Sequence, residues 1–281
     1  MKRMKILLPA AVLLLLFAAW MLWGNFAVTV TEYRAESEKL PDAFSGFRIA
    51  QISDLHNAEF GEGNRRLLNK LEKLSPDLIV ITGDLVDSSR TDESVAIEFC
   101  REAVRIAPVY YVTGNHEARG DESYRVLREG LLSVGVTVLE NQSVILEREG
   151  EQIALIGVQD PAFSGITARE ECQAYTLTVL MRLAERERYD VVLCHRPLEL
   201  DTYGAGNADL LLCGHLHGGQ FRLPFLGGVY APSQGLFPEY DGGMYTEGDG
   251  TMIVSRGLGN SRFPIRLNNP PEIVLTVLSG K

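Results

Sequence analysis

From Phe47 onward the chain alternates between short apolar runs and longer stretches in which apolar residues recur at helical spacing. FRIAQIS (47–53), LIVIT (78–82) and VYYVT (109–113) are predicted strands. Between them, NRRLLNKLEKL (64–74) and ESVAIEFCREAVRI (93–106) have the period of helices with one buried face. This order predicts parallel strands with helices on the sheet faces, because a parallel pair needs a long crossover. From Val136 the texture changes. VTVL (136–139), SVILE (143–147) and QIALIGV (152–158) are strands joined by short turns, with a hairpin turn at EGEQ (149–152). A helix over about 168–188 follows, then two fully apolar strands, DVVLCH (190–195) and DLLLCGH (209–215). TMIVSRG (251–257) and EIVLTVL (272–278) are the last strands. The expected class is α/β with two sheets in one domain.

Before Phe47 the pattern is different. No charged residue occurs from Ile6 to Thr31, and ILLPAAVLLLLFAAWMLWGNFAV (6–28) is apolar all round. A bilayer-spanning helix needs roughly 20 such residues. Trp20 and Trp23 stand at the far end, where aromatic side chains suit a membrane interface. The segment is therefore expected to be an uncleaved transmembrane signal-anchor, in preference to a cleaved signal peptide or a buried core helix. Lys2, Arg3 and Lys5 make residues 1–5 a basic tip, whereas EYRAESEK (32–39) carries −1. Basic residues stay inside, so the tip is expected in the cytoplasm. The rest of this single-pass protein of the cell membrane would then be extracytoplasmic. TVTEYRAESEKLPDAFSG (29–46) reads as a polar tether, and 47–281 as the folded domain.

The net charge of −10 on 281 residues argues against a broad nucleic-acid surface. Cys100, Cys172, Cys194 and Cys213 form no CxxC pair and read as small buried hydrophobes.

The ends of the predicted strands carry the chemistry. Asp54 and His56 follow the first strand, Asp84 the second, and Asn115 and His116 the third. His195 follows a later strand, and His215 and His217 the next. Loops at the C-terminal ends of parallel strands are where α/β sheets build sites. All five histidines of the chain lie at such ends beside Gly, Asp or Asn, which scattered surface histidines would rarely do. Two nearby divalent cations repel, and a carboxylate between them, a role suited to Asp84, offsets that repulsion. Imidazoles and an amide oxygen fill outer positions without overcharging the site, and such a donor set suits Zn, Fe or Mn better than Ca. Gly214 would end its strand, and the single residue between His215 and His217 would let the two imidazoles diverge.

The set D54-x-H56, G83-D84-x-x-D87, G114-N115-H116-E117, H195 and G214-H215-x-H217 resembles the calcineurin-like metallophosphoesterase superfamily. CHRP, GHLHGGQFRLP and SRGLGNSRFPIRLNNPPEI are similar to its membrane-linked YkuE/YaeI-like phosphoesterase subgroup. The resemblance covers Phe47 to Leu278 and implies two facing β-sheets with helices outside, a four-layer αββα fold. It implies one metal on Asp54, His56, Asp84 and His217, another on Asp84, Asn115, His195 and His215, and Asp84 as the bridge. His116 would lie beside the metals and protonate the leaving alkoxide, provided its imidazolium form is populated. Asp87 reads as a turn carboxylate, while Glu117 either tunes His116 or opens the following helix. The implied reaction is hydrolysis of a phosphomonoester or phosphodiester, with lipid, lipid-linked or cell-wall phosphates as substrates within reach of an anchored site. The alternatives are an inactive metal-binding scaffold, a nuclease, or a pyrophosphatase of nucleotide-linked lipid intermediates. Arg222, Arg256, Arg262 and Arg266 are either phosphate-binding forks or ordinary surface charge. The Gly-rich loop 224–245 is a lid, a substrate wall or a membrane contact.

Overall fold

The computed structural model describes residues 2–198, 206–248, 250–261 and 263–280, the side chains of 2–8 and 10 excepted. The first half contains α1 (Lys2–Phe26), β1 (Thr29–Ser37), β2 (Arg48–Ile52), α2 (Arg65–Leu74), β3 (Leu78–Thr82), α3 (Glu93–Ala103), β4 (Val109–Val112), α4 (Asp121–Ser133) and β5 (Thr137–Val138). Next come β6 (Gln142–Arg148), β7 (Glu151–Gly157), α5 (Arg169–Leu183), β8 (Asp190–Leu193) and β9 (Leu210–Cys213). Two small hairpins follow, β10 (Arg222–Leu223) with β11 (Gly227–Gly228) and β12 (Tyr230–Ala231) with β13 (Gly235–Leu236). β14 (Gly243–Glu247), β15 (Gly250–Val254) and β16 (Glu272–Gly280) complete the chain.

Two mixed sheets face each other, in the orders β1-β16-β2-β3-β4-β5 and β14-β15-β9-β8-β7-β6. Alternate residues of each strand divide between two cores, as the period of two requires. Ile49, Val80 and Val112 share the inter-sheet layer with Leu155, Leu193, Leu212 and Ile253. Ala50, Ile52, Ile79 and Ile81 face the other way and pack with Leu67, Leu71, Phe99 and Leu127 of α2 to α4. Ala154, Ile156, Val192 and Leu211 pack with Val179 and Leu180 of α5. The result is helix, sheet, sheet, helix. Central strands buried on both faces explain their unbroken apolar runs.

Register brings the strand ends level. Ile52 pairs with Ile81, and Thr82 with Val112; in the other sheet Leu193 pairs with Leu212, and Cys213 with Val254. Gln51 links the sheets at this end, donating through Nε2 to the Cys213 carbonyl (2.8 Å) and to Thr82 Oγ1 (3.0 Å). The loops leaving both sheets therefore meet over one seam.

The stretch 29–46 is not a tether throughout. Thr29 to Ser37 form β1, which runs parallel to β16 from Thr29↔Glu272 to Ser37↔Gly280. In TVTEYRAES every second residue turns inward, and Ala35 joins the inter-sheet core. The outward positions carry Glu32, Arg34 and Glu36, so the run reads as polar although its alternation is that of a strand. The folded unit thus begins at Thr29, not Phe47. α4 is a further element absent from the sequence reading. It buries Tyr124, Leu127 and Leu131, spaced three and four apart. The four cysteines are buried and free.

The helix α1 takes in residues 2–5 of the basic tip and 6–26 of the expected anchor, and from Val12 to Phe26 it exposes large apolar side chains. Among the described residues no helix is long and apolar enough to cross a membrane.

Candidate metal centre

Each expected ligand stands on one of the loops over the seam, and the loops are tied to one another through their backbones. The Asp54 N–H donates to the Gly83 carbonyl, and the His56 N–H to that of Asp84, both at 3.0 Å. From the other sheet, the Gly214 N–H donates to the His195 carbonyl (2.9 Å). Glycine is required where these loops touch. A Cβ on Gly114 would collide with Asp84 Oδ1, and one on Gly214 with Ser53 Oγ. Asp54, His56, Asp84, His215 and His217 all have positive φ, between 47° and 70°. A non-glycine residue there costs on the order of 1–3 kcal/mol, and such strain collects at functional sites.

The side chains form two adjoining clusters. Asp54, His56 and His217 make one, and Asp84, His195 and His215 the other. One oxygen of Asp84, Oδ2, lies 3.2 Å from His195 Nε2 and 3.5 Å from His56 Nε2, between the two. In the first cluster His56 Nε2 faces His217 Nε2 at 3.3 Å, with Asp54 Oδ1 3.6 Å from the latter. In the second, His195 Nε2 faces His215 Nδ1 at 3.1 Å. Paired lone pairs at this distance suit two ligands of one ion. His195 is fixed from behind: its Nδ1 lies 2.8 Å from the Thr82 carbonyl, which can only accept, so the proton sits on Nδ1 and Nε2 is free to ligate. Asn115 Oδ1 is buried with no hydrogen-bond donor, a cost that coordination would relieve. The nitrogen and oxygen donors fit a pair of divalent transition metals.

Electrostatics agree. Burial pushes His56 down to about 4 and holds His215 and His217 well below the usual imidazole range, so all three are neutral, as ligands must be. Burial opposes charge on Asp84 too, but His195 and His56 outweigh it and keep this carboxylate ionised. Burial also opposes charge on His195, and Asp84 with Asp54 reverses that, raising it. The field that favours a proton on His195 equally favours a metal ion.

His116 lies beside the clusters, its ring edge-on to that of His56 at 4.5 Å. The Ser88 backbone N–H donates to its Nδ1 (3.0 Å), which puts the ring proton on Nε2, 3.3 Å from Ser261 Oγ. Burial lowers its pKa. Burial and the Ser88 N–H on Nδ1 both disfavour the imidazolium, the form a proton donor needs. Glu117 opens the short helical turn Glu117–Arg119, and it does more than that. Its carboxylate accepts from the backbone N–H groups of Gly114 (2.7 Å), Asp84 (3.0 Å) and Val86 (3.3 Å), clamping two ligand loops together. Burial, then the charge of Asp84, raises it to about 7. Asp87 is a turn carboxylate, accepting from the Ser89 N–H (2.9 Å) and from Arg90 (3.2 Å).

The clusters floor a cavity of about 260 Å³ whose walls include Arg119, Arg196, Tyr230, Ser261 and Phe263. The arginines singled out from sequence are engaged elsewhere. Arg266 is fully buried and donates to the carbonyls of Arg256 (2.8 Å) and Gly259 (2.6 Å). Arg256 pairs with Glu272, and Arg222 with Asp241 at 3.2 Å. Arg262 lies outside the described residues. The cations at the cavity are Arg196, held by Asp160 at 2.8 and 3.1 Å, and Arg119, which donates to Ser88 Oγ (3.2 Å). Their signal was position: Arg196 follows His195, Arg119 stands two residues after Glu117 of GNHE, and Asp160 also stands just past a strand end.

Comparison with known proteins converges on these loops. The model of the family "Calcineurin-like phosphoesterase" matches residues 47–219. The chain is 30% identical over 266 residues to the uncharacterized metallophosphoesterase YkuE of Bacillus subtilis, covering 90% of this chain and 86% of that one. It is 30% identical over 244 residues to the phosphodiesterase YaeI of Escherichia coli, covering 84% of each. A Danio rerio transmembrane protein with metallophosphoesterase domain is 28% identical over 262 residues, 89% of this chain and 57% of that one. The matched stretch holds every loop from Asp54 to His217, and the chain belongs to the calcineurin-like phosphoesterase family, whose members are metal-dependent phosphoester hydrolases.

Proposed function

We propose that this protein is a membrane-anchored, two-metal phosphoesterase whose domain lies outside the cytoplasm. The observation that carries the reading is Asp84 Oδ2, standing between two imidazole and carboxylate clusters. Asp54, His56, Asp84 and His217 would hold one divalent cation; Asp84, Asn115, His195 and His215 would hold the other. Manganese, zinc and iron all suit this donor set. A bound metal pair supplies Lewis acidity toward the phosphoryl oxygens and acidifies water for in-line attack.

The chain's own residues do the rest. Asp84 keeps the two clusters at fixed separation, and Glu117 keeps the loops carrying Asp84 and Asn115 in register. His116 points its Nε2–H into the cavity and donates a hydrogen bond to the leaving oxygen. Arg196, oriented by Asp160, and Arg119 offer guanidinium donors to non-bridging oxygens. An inactive scaffold would be expected to lack a ligand or the histidine beside the metals, and here every position is filled.

The anchor reading is supported by the absence of charge from Ile6 to Phe26, by the exposed apolar side chains between Val12 and Phe26, and by the transmembrane relative from Danio rerio. Sidedness follows from the basic tip. A panel of phosphomonoesters and phosphodiesters, assayed on the full chain with Mn²⁺, Zn²⁺ or Fe²⁺, tests the chemistry; absence of hydrolysis with any of them contradicts it. A reporter fused after Lys281 that works only in the cytoplasm contradicts the sidedness. That result would favour a pyrophosphatase of nucleotide-linked lipid intermediates, which needs a cytoplasmic site.

A further inference from the structure

The stretch Leu223–Pro238, which gives the cavity Tyr230, Pro232 and Ser233, is apolar and uncharged and is tied through the segment at Arg266 to the end of α1. Beyond α1, thirteen large apolar side chains are exposed among the described residues, and eight of these lie between Leu223 and Ile265. Phe225 is wholly exposed at the tip of the β10/β11 hairpin, and Leu226, Leu236 and Phe237 are each more than half exposed. From Leu223 to Pro238 there is no charged residue, in a chain where 23% are charged. An apolar patch of this kind marks an interaction surface.

Three observations say what covers it. First, Asn25, in the last turn of α1, accepts from the Arg266 N–H (2.7 Å) and donates to the Arg266 carbonyl (3.1 Å). The segment at Arg266 in turn meets the hairpins, since the Arg222 N–H donates to the Leu267 carbonyl (2.9 Å) and Phe263 packs edge-on against Phe221 and Tyr230. Second, Trp23, exposed, is two residues before Asn25, about 3 Å along a helix axis. A bilayer holding Trp20 and Trp23 at its interface therefore has the rim at headgroup depth. Third, a cleft of about 660 Å³ opens between the helix end and the site. Met21, Leu22, Phe26, Phe60 and Ile265 contribute apolar walls and Glu59, Arg90 and Asp92 charged ones, and it reaches His56.

We infer that Leu223–Phe237 and Phe263–Ile265 form a lip that dips into the bilayer surface, so that the metal cavity takes a phosphoester carried by a membrane amphiphile. The inference rests on the anchored phosphoesterase reading and adds to it a docking surface and a substrate class. The phosphate enters past Tyr230 and Phe263 while the alkyl portion stays in the bilayer.

The test uses the full chain in vesicles of phosphatidylcholine and phosphatidylglycerol. The only two tryptophans, Trp20 and Trp23, are replaced by Phe, and one reporter is introduced by Phe225→Trp or, in a second variant, Leu226→Trp. Brominated lipids should quench this emission by at least about half if the lip is immersed. Water-like, unquenched emission from both variants overturns the lip, whatever the activity. So does a concentration-dependent dimer that Phe225→Asp abolishes without any lipid quenching, since a second copy would then be the occupant.

Activity provides the second readout. Phe225→Asp combined with Phe237→Asp, neither residue lining the cavity, should slow hydrolysis of a long-chain alkyl p-nitrophenyl phosphodiester in vesicles by about tenfold or more. Hydrolysis of soluble bis(p-nitrophenyl) phosphate should change by less than about twofold. Equal losses on both substrates overturn the amphiphile assignment. If neither is hydrolysed by the metal-loaded parent, the phosphoesterase reading fails, and quenching still decides the lip independently.

Discussion

Glu117 is the residue on which the two halves of the site depend most indirectly. Its three backbone donors come from loops that carry Asp84 and Asn115. Glu117→Gln turns an amide N–H₂ toward at least one of those donors. The expected result is a loss of about 1–3 kcal/mol of stability, read as a lower denaturation midpoint, together with weaker binding of metal. His116 belongs to a different class. His116→Asn should retain metal and lose about 10²–10⁴-fold in turnover, since it removes a donor to the leaving oxygen; loss of metal would make it a ligand. The seven expected ligands were legible because metal binding demands rare residue types, and every histidine in the chain was available to mark them. Arg196, Asp160 and Ser88 were harder to read because their partners are set by folding, and arginine or serine at a loop has many ordinary uses. Arg222, Arg256 and Arg266, read as phosphate forks or surface charge, were ambiguous for the same reason and pair within the tail. Arg266 reads as a surface cation, yet it is buried among carbonyl oxygens of its own loop.

Among the elements, β1 matters most for handling the protein. It covers the edge of β16 and contributes Ala35 to the inter-sheet core. A chain truncated to begin at Phe47 leaves β16 as an open edge, a site for aggregation. It should melt well below, or precipitate before, one that begins at Val28. Ala35→Asp should destabilise by several kcal/mol, because the carboxylate would have no partner in that layer; an unchanged melting temperature would show that β1 is dispensable. The central strands were legible because burial on both faces removes polar residues from them. β1 was obscured because it is an edge strand, half of whose positions face water. In α4, Tyr124, Leu127 and Leu131 keep the helical period, but glycine and charged neighbours dilute it.

At the scale of the whole molecule the four layers followed from the order of elements, and the site followed from the level strand ends. The two short hairpins that carry the exposed rim did not, because runs of Gly, Pro and aromatic residues fix no period. The buried site also sets how the metal-stripped protein responds to acid. Four imidazoles, those of His56, His116, His215 and His217, are pushed below their usual range by burial. Burial also raises Asp54 to about 6 and Glu117 to about 7, so these carboxyls bind protons in the folded state. His195, opposed by burial but raised to about 10 by Asp84, carries its proton in the folded state throughout. Between pH 6.5 and 5 the unfolded chain therefore binds more protons than the folded one, five imidazoles against His195 and two carboxyls. Stability must fall as pH drops through this window, by about 1.4 kcal/mol per pH unit for each net proton. Denaturation midpoints of the metal-stripped chain at pH 7 and pH 5 measure it, and a midpoint that rises on acidification contradicts the ordering of these groups. The most direct measurement of the central claim is the metal content of the purified full chain, by elemental analysis, beside that of Asp84→Asn. The account predicts two divalent ions per chain in the parent and weakened occupancy of both positions in the variant. A parent that holds none after metal loading, or a variant that loses only one, would contradict it.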